Sequence, residues 1–335
     1  MHKKIDILNI GLIIVSLIIA VILPFKLFLF SYAILGPLHY LTEINWLKEK
    51  NYFVQNNSKW IWTFAIFTIL LSLYPIYRMI DFGVENTFSE GIKYIFGKQK
   101  ILVLSAFFFA IGLILFRKLS HILITLVVSF LMAVLLLFFL PKWLFVLGLF
   151  LPTIIHVYLF TLLFMLYGSK KSKSKFGYLG SGLLLLVPVI IVFMAIDPTT
   201  YIVTQETATV YDTSKLMQVN AVMTQLMGGL VDGQFYILSP MGIKVQIFIA
   251  FAYTYHYLNW FSKTSIIGWK KSLTTNRTIY ISMIWIAAVA IYLYDFYTGL
   301  IALYFLSLLH VLFEFPLNVV TIKELFKFRK VKLKT

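Results

Sequence analysis

Two short stretches place an imidazole and a carboxylate four residues apart inside apolar sequence: "GPLHYLTEINWL", with His39 and Glu43, and "LLHVLFEFPLN", with His310 and Glu314. Residues i and i+4 share a helix face, so each pair can present both groups to one cavity. Two more histidines sit in comparable runs, His156 in "PTIIHVYLF" and His256 in "AYTYHYLNWF". Of the thirteen Asp and Glu in the chain, Glu43 and Glu314 are the two that fall well within apolar segments. Ionisable groups in such a setting are costly unless they are paired, bind metal or line water. A single buried histidine is ordinarily a satisfied interhelical hydrogen bond; four of them with both acids in register read as one shared polar site. The expected metal ligands are His39, His156, His256 and His310. Glu43 and Glu314 are expected as further ligands, or as catalytic groups that orient imidazoles and move protons. Tyr255, Asn259 and Asn318 would supply hydrogen bonds behind them.

The ligand set limits the chemistry. The chain has no cysteine, which removes thiolate ligands, cysteine nucleophiles and disulfides. Imidazoles with optional carboxylates suit iron, zinc, copper or manganese, and iron with open positions is the site that handles oxygen. Four histidines could hold one iron, or the glutamates could join them in a dinuclear centre of the kind built in helix bundles. The same histidines could instead be axial ligands of haem, or a metal-free relay in a proton-coupled or cation-coupled transporter. No His-Glu-x-x-His zinc-protease pattern, Walker motif or dinucleotide fingerprint occurs. A site within lipid favours a hydrophobic small-molecule substrate.

The elements that must position these residues are transmembrane helices. Hydrophobic residues make up 61% of the 335, aromatics 18% and charged residues 13%, with a mean hydropathy of +0.90. Those proportions predict an all-α, polytopic membrane bundle. Apolar runs at 7–23, 25–47, 59–79, 99–117, 119–140, 142–167, 177–196, 242–262, 277–295 and 297–322 give about ten spans in a single transmembrane domain. The first, behind "MHKKID", reads as a retained span and not a cleaved signal peptide. The basic tail "KELFKFRKVKLKT" places the C-terminus inside, and alternation then places the N-terminus inside as well. The net charge of +16 reflects this topology and contact with anionic membrane lipids, not nucleic-acid binding.

Pro37, Pro152 and Pro316 lie close to His39, His156 and His310, where kinks would open space. The segment 197–241 falls outside the bilayer. Within it Leu216, Val219, Met223, Leu226 and Met227 recur at helical spacing before Gly228 and Gly229, as in an interfacial amphipathic helix or a lid over an entrance.

The stretches "GPLHYLTEINWLKEKNYF" and "FAYTYHYLNWFSKTSIIGW", on an all-helical frame whose buried polar content is mainly histidine, resemble the Brp/Blh family of bacterial beta-carotene-cleaving dioxygenases. The resemblance covers the histidine-bearing helices. It implies non-haem iron held by histidines, dioxygen, a carotenoid or other isoprenoid substrate, and a bacterial cytoplasmic membrane. The chain differs from that plan in its two acids one turn after histidines and in its larger number of spans, about ten.

Overall fold

The computed structural model describes residues 2–54, 58–80 and 86–326, and all regular structure among them is helical. Residues 327–335 of the basic tail lie outside the described residues. Helices arise from the setting: in hydrocarbon the backbone must satisfy its own polar groups, and a helix does so within one segment.

Helix α1 is His2–Ile22. α2 (Pro24–Phe30) passes through a π-helical stretch, Ser31–Leu35, into α3 (Gly36–Glu49). Next come α4 (Trp62–Ile80), α5 (Thr87–Gly97), α6 (Gln99–Leu115) and α7 (Leu119–Phe139). α8 (Pro141–Phe150) passes through a second π-helical stretch, Leu151–Phe160, into α9 (Thr161–Ser172), and α10 is Lys175–Phe193. The loop after α10 carries α11 (Gln205–Thr213) and α12 (Met217–Leu226). α13 (Pro240–Ser262), α14 (Thr264–Ile267), α15 (Thr275–Tyr294), α16 (Phe296–Ala302) and α17 (Tyr304–Leu325) complete the fold. Pro24, Pro141 and Pro240 each open a helix at its first or second position, where the missing N–H breaks no bond.

Eight of these segments are long and apolar enough to cross a membrane, and up to nine if α5 and α6, bent by 54°, form one span. α13 is long enough at 23 residues but too polar to qualify, carrying Lys244, Gln246, His256 and Asn259. Its setting explains the polarity. Seventeen of its residues are buried, from Gly242 to Trp260, whereas α15 buries only Ala288 and Tyr292. α13 therefore meets protein on nearly every face, and its polar groups need partners there, not lipid. α7 is the opposite case, with Phe138 and Phe139 about three-quarters exposed, as lipid-facing residues are.

Contacts sort the helix ends. Asn9 of α1 donates to Ser262 at the end of α13 at 3.0 Å, Lys170 of α9 donates to the Leu325 carbonyl of α17 at 2.8 Å, and Asn45 of α3 donates to Ser272 at 2.8 Å. Ser174, which caps α10, donates to Asp6. These residues share one end of the bundle, the end that holds residue 2. At the other end Tyr211 donates to the Phe25 carbonyl at 3.2 Å and Lys244 to the Val192 carbonyl at 2.6 Å. There α12 is fastened to α13 by polar groups: Asn220 donates to the Gly242 carbonyl at 3.0 Å and to Gln246 at 3.2 Å. Leu216, Val219 and Met223 pack on the apolar core, while Leu226 and Met227 remain exposed. The apolar periodicity of this segment thus docks α12 against the bundle over part of its length only.

Two apolar cores result. One gathers α4, α6, α7 and α17; the other gathers α1, α2, α10 and α13. The helices bearing the four histidines come from both halves.

Candidate metal centre

His39 enters from α3, directly after the first π-helical stretch; His156 lies inside the second; His256 is on α13 and His310 on α17. A π-helical turn inserts a residue into the helical repeat and rotates the rest of the helix about its axis. Pro37 and Pro152 at the starts of these segments, and Pro316 within α17, interrupt the backbone ladder beside the same histidines.

The four imidazoles form a closed ring. Successive ring centroids are 4.6 Å apart for His39 and His256, 5.0 Å for His256 and His156, 5.0 Å for His156 and His310, and 5.4 Å for His310 and His39. All four are at most 6% exposed. Their Nε2 atoms meet in two pairs: His39 and His256 approach to 3.0 Å through Nε2, and His156 and His310 to 3.2 Å. Nitrogens bound to one metal at about 2.1 Å, with bond angles near 90–100°, stand about 3.0–3.2 Å apart, so this spacing fits neighbouring ligands of a single ion. Ring nitrogens of His39, His156 and His256 lie mutually within 4.8 Å, as do ligand atoms of His39, Glu43 and His310.

The glutamates take different positions. Glu43 Oε2 is 3.0 Å from His39 Nε2, the nitrogen that also meets His256. Glu314 Oε2 is 3.1 Å from Nδ1 of His156, on the far side of that imidazole. Both carboxylates are almost fully buried, and the ion-pair partners that the described residues supply to them are these histidines. When ionised, two buried carboxylates among neutral imidazoles would carry a charge that a divalent cation balances.

The tautomer of one ligand can be read from its neighbours. Thr161 donates its hydroxyl to the Val157 carbonyl at 2.9 Å and lies 2.7 Å from His256 Nδ1. With its proton committed, Thr161 accepts from Nδ1–H, which leaves His256 Nε2 with a bare lone pair. Thr161 is thus an orienting partner of the kind that metal-bound histidines have. Glu314 Oε2 contacts Nδ1 of His156 at 3.1 Å, but neither atom has a hydrogen-bond partner among the described residues. Thr161 is absent from the residues expected on sequence grounds; a threonine five residues after His156 gives no signal until α13 is placed beside it.

Of the expected supports, Asn259 borders the site with its carbonyl oxygen unpartnered, and buried Asn318 has both amide atoms unpartnered. Tyr255 is engaged elsewhere, donating to Asn9 at 3.3 Å and to the Met165 sulfur at 3.1 Å. Aromatic rings close the centre: Tyr40 stacks on His310 at 4.1 Å, and Trp260 meets His39 edge-on at 5.5 Å. His121 is exposed on α7 and stands apart from the ring.

Two cavities reach the ring from opposite ends of the bundle. One of about 630 Å³ lies at the end holding residue 2; it is bordered by Asp6, Asn9 and Lys263 and reaches His39, His256, Glu43 and Glu314. The other, of about 900 Å³, lies under α11 and α12 and reaches His156 and His310. His310 and Glu314, expected to share one cavity, therefore border different ones.

No family model, curated protein or solved structure matches this chain. The architecture and the site stand on their own: an all-helical, strongly apolar chain with a buried His/Glu cluster able to hold a metal ion.

Proposed function

We propose that the protein is a membrane-embedded non-haem oxygenase whose iron is held by His39, His156, His256 and His310, acting on a lipid-soluble substrate of carotenoid or other isoprenoid type, as the resemblance to the Brp/Blh family implies. The observation that carries this reading is two Nε2–Nε2 contacts, His39 with His256 at 3.0 Å and His156 with His310 at 3.2 Å, beside two overlapping groups, His39, His156 and His256 and His39, Glu43 and His310, whose ligand atoms lie mutually within 4.8 Å. A bis-histidine haem would require a macrocycle between its two axial nitrogens, which nitrogens in mutual contact do not accommodate. With sulfur absent and nitrogen dominant, iron with open positions is the choice that matches a lipid substrate. Iron in this ring would supply the activation of dioxygen.

The protein's own groups do the rest. Thr161 holds His256 with Nε2 free for a metal, and Glu314 contacts Nδ1 of His156. Glu43, beside His39 Nε2, is placed to ligate or to hold a proton at Oε2. Tyr40 and Trp260 restrict water around the imidazoles. The cavity bordered by Asp6 and Lys263 offers the carboxylates a route to solvent at one end, leaving the opposite cavity for substrate. Ten spans, with both termini in the cytoplasm of a bacterial cell, remain part of this proposal, with α13 as the span that its protein neighbours shield from lipid.

The test is metal analysis with an absorption spectrum on detergent-purified protein, wild type beside His256→Ala and His310→Ala. About one iron per chain without a Soret band, lost in both variants, is expected. A Soret band would replace this reading with haem. Absence of metal after gentle purification and reconstitution would favour a proton-coupled carrier, which the approach of cavities from both ends to a His/Glu partition also fits; proton flux in proteoliposomes would then be the measurement.

A further inference from the structure

The cavity beneath α11 and α12 has a composition that the metal centre does not explain. Eight tyrosines line it, among them Tyr32, Tyr40, Tyr253, Tyr257 and Tyr304, and its inner end is formed by His156 and His310. Its size, about 900 Å³, is near the top of the range of about 300–1,000 Å³ for small-molecule sites. Flat aromatic walls with hydroxyl edges offer large contact area at little conformational cost, and their polarisable faces suit unsaturated carbon more than a leucine lining would. Tyr253 and Tyr257 lie one turn apart on α13 with centroids 6.3 Å apart, and the Tyr257 hydroxyl is 3.1 Å from that of Tyr40, which stacks on His310. An aromatic wall thus runs continuously from the chamber to a ligand of the centre.

The outer part of the chamber is basic. Arg78, Lys100 and Lys215 border it against one acid, Asp212. Lys100 packs closely on α8: a Cβ at Gly148 would come within 2.5 Å of Lys100 Cβ, and the ammonium lies 4.4 Å from the ring centroid of Phe145, a residue outside the chamber lining. Gly148 precedes His156 by eight residues, about 12 Å along the helix. A group held at Lys100 is therefore far from the imidazoles, and the part of a bound molecule that meets them is a point along its chain, not its head.

We infer that this chamber binds an amphipathic lipid with an unsaturated chain and an anionic headgroup, the head at Lys100 and Lys215 and the chain along the tyrosines towards His156 and His310. The inference deepens the oxygenase reading and rests on it for the fate of the chain; the binding itself does not require a metal. α11 and α12 form the roof, since Tyr211, Asp212, Lys215 and Gln218 all border the chamber.

The experiment is photolabelling of the purified protein, with metal content measured on the same sample. Two probes are used, a polyunsaturated fatty acid with a mid-chain diazirine and the matching fatty alcohol, and labelled peptides are mapped by mass spectrometry. The acid is expected to label peptides containing Tyr253 to Tyr257 or Tyr304 to His310 at least fivefold more than the alcohol. That preference is expected to fall to near unity in Lys100→Gln/Lys215→Gln and to persist in Lys142→Gln, a change at an exposed lysine outside the chamber. Equal labelling by acid and alcohol in the wild type, or label confined to lipid-facing peptides such as that containing Phe138 and Phe139, overturns the proposal without needing any variant. Selective labelling of a metal-free protein would keep the lipid site and remove the oxygenase; full metal without selective labelling would do the reverse.

Discussion

Glu314 is paired with His156 on another helix, at 3.1 Å from Nδ1, and not with His310, the histidine one turn before it on α17. The carboxylate therefore meets a histidine that it does not share a helix with, and the contact ties the second π-helical stretch to α17. Glu314→Ala is expected to lower metal affinity by about 10- to 100-fold, the usual cost of losing a partner behind a metal ligand. Glu314→Gln, which keeps an oxygen acceptor, should lose less. Metal titration of the two variants against wild type measures the difference; equal effects would mean that charge, not orientation, is what Glu314 contributes.

Thr161 orients His256. Thr161→Val is nearly isosteric but removes the acceptor of a buried Nδ1–H, at a cost of about 1–3 kcal/mol. The expected result is weaker metal binding together with a lower melting temperature. Thr161→Ser should restore both. A valine variant with unchanged metal affinity would show that His256 is oriented by packing alone.

Away from the centre, Gly112 marks where α6 and α7 touch. A Cβ there would lie 2.0 Å from Thr125 Cγ2, so Gly112→Val forces the helices apart, an overpacking worth about 1–3 kcal/mol. Thermal stability should fall while metal content per folded chain is unchanged, because α7 contributes nothing to the ring. Fluorescence-detected size exclusion after a temperature series checks it.

A pH effect is expected in the loop leading to α11. Asp197 accepts from the Thr199 amide at 3.0 Å and from the Thr199 hydroxyl at 2.7 Å, which holds its carboxyl below the ordinary carboxylate value. A group whose folded value is depressed stabilises the folded form when ionised, and that contribution is lost as the pH falls through its folded value. Hydrogen exchange at the Thr199 amide should be slower in wild type than in Asp197→Ala at pH 6, and the difference should shrink as the pH falls below the ordinary carboxylate range. The site is exposed, so the effect is local and salt-sensitive.

The helical class and the segments that could enter a membrane were legible from the amino-acid sequence because apolar length is a one-dimensional property. The suspicion of one polar site was legible too: ionisable residues in apolar runs are few enough that His39, Glu43, His156, His256, His310 and Glu314 stand out individually. The partners of those residues were not legible. Spacing of i and i+4 predicts that His310 and Glu314 face one cavity, yet they border different cavities, and Glu314 belongs to His156. Thr161 carries no mark in the sequence at all, and although the run 242–262 reads as a span, the polar residues that α13 buries find their partners only in the tertiary structure. Side-chain pairing across helices depends on the rotation of each helix about its own axis. Here the π-helical stretches and prolines at 31–37 and 151–160 reset that rotation by amounts that composition and periodicity do not record. Sequence alone therefore determined which residues had to leave lipid, and tertiary structure decided which of them meet, because meeting is a property of helix rotation and packing.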